Sequence, residues 1–217
     1  LLASIAIGKS RAYNLLKSED VLSTLKSLKK LGVKIKYTKK FYEIYGNGLD
    51  GYKFKKNLII NAGNSGTLGR LIPALLIKST KKIKLIGDKS LSKRDFSRVI
   101  DPLTKFGVTF FPKNKKTLPL IIKGTNFVRP IKYFENRGSA QCKSSVMLAA
   151  LNSPGKTIIK AKKSRDHTEI LFKILNIPIK IIKSKKYDYI TVTGRKQFKS
   201  LDYNIPSDIS SSSFFIV

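Results

Sequence analysis

The sequence predicts an α/β domain built from three repeated βαβαββ units, and three observations carry that prediction. A helix stop suited to a left-handed backbone recurs at Gly32, Gly107 and Asn176, with a period of about 70 residues. After each stop come two short apolar stretches that can pair as a hairpin. The second and third copies also open on a small-residue loop that feeds an apolar helix, at Asn61–Arg70 and at Arg137–Ser145.

In the first copy a helix is expected over Leu1–Ile7 and a strand around Arg11–Leu15. The turn Lys17-Ser18-Glu19-Asp20 supplies a capping hydroxyl and acidic residues for a helix over Val21–Leu31, with Asp20 in a structural role. Strands follow at Lys34–Tyr37 and Phe41–Tyr45. The second copy has a helix over Thr67–Ile77 and a strand at Ile83–Ile86. Ser92-Lys93-Arg94-Asp95 then starts a helix over Phe96–Phe106, and strands follow at Val108–Phe111 and Leu118–Ile122. The third copy reads helix Ala140–Leu151, strand Thr157–Ala161, helix His167–Leu175, and strands Ile179–Ile182 and Tyr187–Val192. Asn176 stands in for glycine because Asn is the next best residue for that backbone. With apolar faces on helices and strands alike, the units can pack helices inward and sheets outward.

The repeats divide the chain at about 1–56, 57–130 and 131–200, with 201–217 as a crossover into a second domain. Pro206–Ser213 reads as another capped helix start. Both ends fall inside apolar patterns, so the chain is expected to be a fragment.

The formal charge is +31, from 44 Lys and Arg against 13 Asp and Glu. A nucleic-acid partner is the first thought. The lysines are spread along the chain rather than gathered, however, and they do not alternate with aromatics as in a single-strand binder. A compositional bias toward Lys accounts for them, and no nucleic-acid partner is expected. In that background a retained arginine hints that its planar fork is needed. Arg70, Arg94 and Arg165 all sit beside Gly, Ser, Asp or Thr at expected helix starts. With one cysteine, Cys142, and one histidine, His167, neither an internal disulfide nor a multi-His or Cys-based metal site is possible. Cys142 is expected to be inert and His167 a packed helix-start residue. No apolar run reaches the roughly 18 residues of a membrane span.

The loops carry the chemistry. Free N–H groups at a helix start, together with the positive end of the helix dipole, bind anions. Such loops at Asn61–Arg70 and Arg137–Ser145, and in weaker form at Lys163–Glu169, point to a ligand with several phosphates or carboxylates.

At these residues the chain resembles the EPSP synthase (3-phosphoshikimate 1-carboxyvinyltransferase) family. The resemblance rests on Asn64-Ser65-Gly66-Thr67 with Arg70, and on Gly87-Asp88-Lys89-Ser90-Leu91 with Arg94. It rests further on Ser139-Ala140-Gln141 with Lys143-Ser144, on Ser164–Glu169, and on Pro206–Ser211. Ser207 stands where the family usually has Gly, and Asp208 is taken as structural. The resemblance implies the inside-out α/β barrel of enolpyruvyl transferases, with substrates bound between two such domains. It implies transfer of the carboxyvinyl group of phosphoenolpyruvate (PEP) to the 5-hydroxyl of shikimate 3-phosphate, in a cytoplasmic protein that is monomeric when full length. No cofactor or metal is implied.

Carried over residue by residue, Asn64, Gly66, Arg94 and Gln141 would bind PEP. Ser139, the Ala140 backbone, Gln141 and Arg165 would bind shikimate 3-phosphate. Thr67, as a helix cap, and Arg70 would support the first loop. The family's catalytic carboxylates have no counterpart in this chain, so the isolated fragment is expected to be inactive. The alternatives are a UDP-N-acetylglucosamine enolpyruvyl transferase and a non-catalytic anion- or RNA-binding repeat domain.

Overall fold

A computed structural model describes residues 1–206; the Pro206–Ser211 motif, apart from its first residue, and the Ser207 and Asp208 readings lie outside them. The chain opens with α1 (Leu2–Ile5) and β1 (Ile7–Tyr13). Next come α2 (Glu19–Lys30), β2 (Lys34–Tyr37) and β3 (Phe41–Asn47). The middle of the chain forms β4 (Leu58–Asn61), α3 (Gly66–Leu75), β5 (Ile83–Ile86), the one-turn α4 (Lys89–Ser92), α5 (Ser97–Lys105), β6 (Thr109–Phe111) and β7 (Leu120–Lys123). The last third holds β8 (Lys132–Glu135), α6 (Ala140–Ala150), β9 (Lys156–Lys162), α7 (His167–Ile174), β10 (Ile179–Lys183), β11 (Tyr187–Thr193) and β12 (Asp202–Asn204).

The strands form three four-stranded sheets of one design: β4-β5-β7-β6, β8-β9-β11-β10 and β12-β1-β3-β2. In each, the first two strands are parallel and the rest antiparallel. The parallel pairs need a helical crossover between them, which α3 and α6 provide for β4–β5 and β8–β9.

The threefold α/β repeat is therefore as expected, with two corrections. The leading strands β4 and β8 were not placed by the sequence: Leu58–Asn61 runs directly into the small-residue loop, and Lys132–Glu135 is charged at both ends. The line at residue 200 is also displaced. β12 pairs with β1 in parallel register, Arg11 to Asp202 through Tyr13 to Asn204, so Asp202–Asn204 complete the first sheet.

Helix stops sit where the periodicity puts them, with positive φ at Gly32 (85°), Gly107 (107°) and Asn176 (52°). α6 and α7 start at the expected Ala140 and His167, and the other helix starts shift by one or two residues. α2 begins at Glu19 behind Ser18, whose hydroxyl accepts from the Val21 N–H.

The helices pack inside the three sheets. α6 is the central one: every residue from Cys142 to Ala150 is buried, so it has no polar face. Fully buried Phe96, Phe106 and Phe172 anchor its neighbours, each worth roughly 1.5–3 kcal/mol of transfer free energy. The outward strand positions are exposed, as at Ile59, Phe134, Ile158, Ile182 and Tyr189. An apolar cavity of about 380 Å³ is lined mainly by the first and third units, through Leu2, Ala6, Leu28, Leu148 and Leu171 among others, with Leu71 of the second.

Candidate functional site

The starts of α3 and α6 lie side by side, because the two helices are neighbours in the core. Each is capped by a serine. Ser65 Oγ accepts from the Leu68 N–H at 3.2 Å, and Ser139 Oγ accepts from the Cys142 N–H at 3.3 Å. The cap of α3 is thus Ser65, not Thr67 as the sequence suggested. Both candidates are good caps, and the helix begins one residue earlier at Gly66.

Thr67 instead faces the third unit. Its Oγ1 accepts from Gln141 Nε2 at 2.9 Å, while Gln141 Oε1 accepts from Arg70 Nη1 at 2.9 Å. One amide thus joins both loops. Arg70 also reaches the Gly66 carbonyl at 3.4 Å and stacks over Phe96, 5.5 Å from the ring centroid. It has no acidic partner among the described residues. Burial lowers its pKa from the usual value, yet a guanidinium remains charged in any ordinary buffer.

Gly66 sits against two guanidinium groups. A Cβ there would lie 2.7 Å from Arg70 Nη1 and 3.1 Å from Arg94 Nη1. A side chain there would displace these guanidinium groups, and the backbone angle itself is ordinary. Arg94 is exposed and donates from Nη2 to Asn64 Oδ1 at 3.1 Å, and no carboxylate pairs with it among the described residues. Asn64 in turn donates from Nδ2 to Asp88 Oδ2 at 2.6 Å. One of its two amide hydrogens is therefore already engaged, and Asn64 links Arg94 to Asp88. Asp88 Oδ1 also accepts from the Leu91 N–H at 2.6 Å, and this bond is the main reason its pKa falls below the usual carboxylate value.

On the third unit the turn before α6 is held by a buried acid. Glu135 accepts from the N–H groups of Arg137, Gly138 and Ser139 at 3.0, 2.7 and 3.0 Å. That leaves the Ala140 and Gln141 amides, with no partner among the described residues, as donors at the helix start. Beside this turn runs the Lys163–Arg165 segment: a Cβ at Gly138 would lie 3.5 Å from the Lys163 carbonyl oxygen. Arg165 is exposed and makes no ion pair among the described residues. Its two candidate acids are taken, Asp166 by Lys183 and Glu169 by Lys143. Ser164 Oγ is buried and also lacks a partner there.

Sequence reasoning missed Glu135, and it gave no individual role to Asp88 and Ser164, although both stand in the motifs it singled out. The two acids had a signal. In a chain with 13 acids against 44 basic residues, a carboxylate beside a Gly turn is as informative as a retained arginine. Ser164 had none, since an orphaned hydroxyl is visible only once the neighbours are placed.

Cys142 is buried in α6, and burial pushes its thiol pKa up. His167 opens α7 but is exposed rather than packed. Among the described residues no group of three or more His, Cys, Asp or Glu could hold a metal ion, and no helix is long and apolar enough to cross a membrane.

The site is thus two serine-capped helix starts, with the Ala140 and Gln141 amides left over at α6, a glycine backed by two guanidinium groups, and an arginine and a hydroxyl without partners among the described residues. It can hold anionic groups at two neighbouring places. The sequence profile of the EPSP synthase (3-phosphoshikimate 1-carboxyvinyltransferase) family matches residues 1–217. The chain is 42% identical over 219 residues to the 3-phosphoshikimate 1-carboxyvinyltransferase of Vesicomyosocius okutanii, covering all of this chain and 49% of that protein. It is 37% identical over 218 residues to the enzyme of that name from Streptococcus mutans, again with all of this chain and 50% of the other covered. The fold superposes on EPSP synthase from Acinetobacter baumannii with a TM-score of 0.87 and 32% identity, over 99% of this chain and 48% of that one. The enolpyruvyl transferase NikO from Streptomyces tendae shares the fold, with a TM-score of 0.67 at 13% identity, over 99% of this chain and 50% of that one. The chain spans about half the length of the curated relatives it matches.

Proposed function

Because the chain belongs to the EPSP synthase family, we propose that it forms one face of a site that transfers the carboxyvinyl group of PEP to the 5-hydroxyl of shikimate 3-phosphate. The observation that carries this reading is the pair of adjacent helix starts, α3 and α6, joined through Gln141 and flanked by Arg94 and Arg165, which have no acidic partners among the described residues. Two anionic substrates must be brought together, and two neighbouring anion sites do that.

PEP would lie against Gly66, with the Arg94 fork on its carboxylate or phosphate and Gln141 between the two substrates. Asn64 would act by aiming Arg94, with its second amide hydrogen open to the ligand. The phosphate of shikimate 3-phosphate would take the Ser139 hydroxyl, the Ala140 amide and Arg165, with Ser164 as a further donor. Thr67 and Arg70 would hold Gln141. Such preset donors stabilise charge without reorganising during reaction. The whole protein is read as a cytoplasmic monomer that takes these two small molecules, with no nucleic-acid partner.

The UDP-N-acetylglucosamine alternative depends on a reactive cysteine, and the chain's one cysteine is buried with its thiol pKa raised. Titration of the chain with shikimate 3-phosphate, shikimate and PEP, followed by amide shifts in NMR spectra, tests the reading. Shikimate 3-phosphate should perturb residues 138–142 and 164–166, and PEP residues 64–67 and 94. Equal binding of plain shikimate would refute the phosphate assignment.

A further inference from the structure

α6 and α7 carry the two sides of the proposed phosphate site, and two contacts tie these helices together just beneath it. Lys143 is fully buried and pairs with Glu169 Oε1 at 2.5 Å. Beside it, Ser144 Oγ and Thr168 Oγ1 share a hydrogen bond of 2.7 Å. Lys143 follows the N-cap Ser139 by one helical turn. Glu169 lies in the first turn of α7, just after the Ser164–Asp166 segment that leads into that helix. Each member of the ion pair therefore sits close below the segment that would present a group to the phosphate.

Stability does not explain this pair. Lys143 is the one charged residue in the buried stretch of α6. The contact is ionic without being a well-angled hydrogen bond, and Glu169 Oε2 has no partner among the described residues. Taking two charges out of water under those conditions gains little, and apolar residues of similar volume often do as well or better. What the pair can add to close packing is one further preferred arrangement, that of two opposite charges in contact. The other polar contacts of α6, Gln141 with Thr67 and Arg70 and the Ser145 hydroxyl with the Arg70 carbonyl, face α3 and leave its register against α7 to this pair and to Ser144.

We propose that Lys143 and Glu169, reinforced by Ser144 and Thr168, are positioning residues. They hold α7 against α6 so that Arg165 and Ser164 face the same phosphate as the Ser139 hydroxyl and the Ala140 amide. The proposal rests on the phosphate site proposed above.

The test separates fold stability from ligand geometry. Lys143→Met combined with Glu169→Leu, made in the 217-residue chain, should melt at the same temperature or higher. Its affinity for shikimate 3-phosphate should nevertheless fall about tenfold, the scale of one lost charge-assisted contact, while PEP binds as before. Should that double variant fail to fold, Thr168→Val and Thr168→Ser decide the matter. Val should weaken shikimate 3-phosphate binding severalfold without affecting PEP, and Ser should restore it. Unchanged shikimate 3-phosphate affinity in the folded double variant, or equal affinity in the Val and Ser variants, overturns the proposal. If the unmodified chain does not prefer shikimate 3-phosphate to shikimate, the phosphate site itself fails and the positioning role falls with it. A preference that survives every substitution sinks the positioning role alone.

Discussion

Arg165 gives the cleanest single-residue test, because it makes no ion pair among the described residues. Arg165→Ala should leave thermal stability within about 0.5 kcal/mol, as for other surface changes. It should weaken shikimate 3-phosphate by about 1.5–3 kcal/mol, the range for a hydrogen bond to a charged group, when affinity and melting are measured on the same preparation. Gly66→Ala acts differently. The added methyl would come within 2.7 Å of Arg70 Nη1 and 3.1 Å of Arg94 Nη1, so both forks must shift. PEP affinity should drop at least tenfold, or about 1.4 kcal/mol, with shikimate 3-phosphate much less affected; titration with both ligands distinguishes a local effect from a general one. Cys142 should resist alkylation at pH 8 in the folded chain and react once denatured. Burial raises its pKa in the folded state, so the folded chain holds the thiol proton more tightly than the unfolded one. Its contribution to stability is fully present below the ordinary thiol value and is lost as pH rises from there through the raised folded value.

At the scale of elements, the three helix stops do one job with different tolerance. Asn176 adopts φ 52°, and an alanine there meets the left-handed penalty of about 1–2 kcal/mol, whereas Asn176→Gly should be neutral or better. Gly32→Ala should cost more than Asn176→Ala, because its Cβ would also strike the Lys53 carbonyl oxygen at 2.5 Å. Denaturant midpoints at unchanged slope would check the order. The stops were legible in the sequence because the requirement is local: one backbone conformation, met by Gly or Asn. Helix starts were less legible. Ser65 and Thr67 are both good caps, and the choice between them depends on Thr67 being needed by Gln141 across the helix pair.

For the molecule as a whole, the large positive charge has a consequence of its own. Lysines spread over a compact surface repel one another, so moving from about 20 to 300 mM salt should raise the melting temperature through screening. A melting temperature that falls over this range would mean that attractive ion pairs dominate despite the net charge of +31. Closure of the fold depends on β12. The Leu201 N–H donates to buried Ser10 Oγ at 3.1 Å, and Asp202 accepts from the backbone and side chain of Arg11. The last described strand is thereby fixed to the first.

The sequence by itself determined the repeat, the helix stops, the small-residue loops and the arginines set in them, because each is a matter of local backbone chemistry or of contrast with a lysine-rich background. It also carried the family resemblance. It could not show that Asp202–Asn204 complete the first sheet, that Gln141 joins two loops 74 residues apart from Thr67, or that Lys143 is buried against Glu169. Those depend on which segments become neighbours. A polar side chain in a sequence has many possible partners, and only packing, by excluding water and fixing distance, leaves it one.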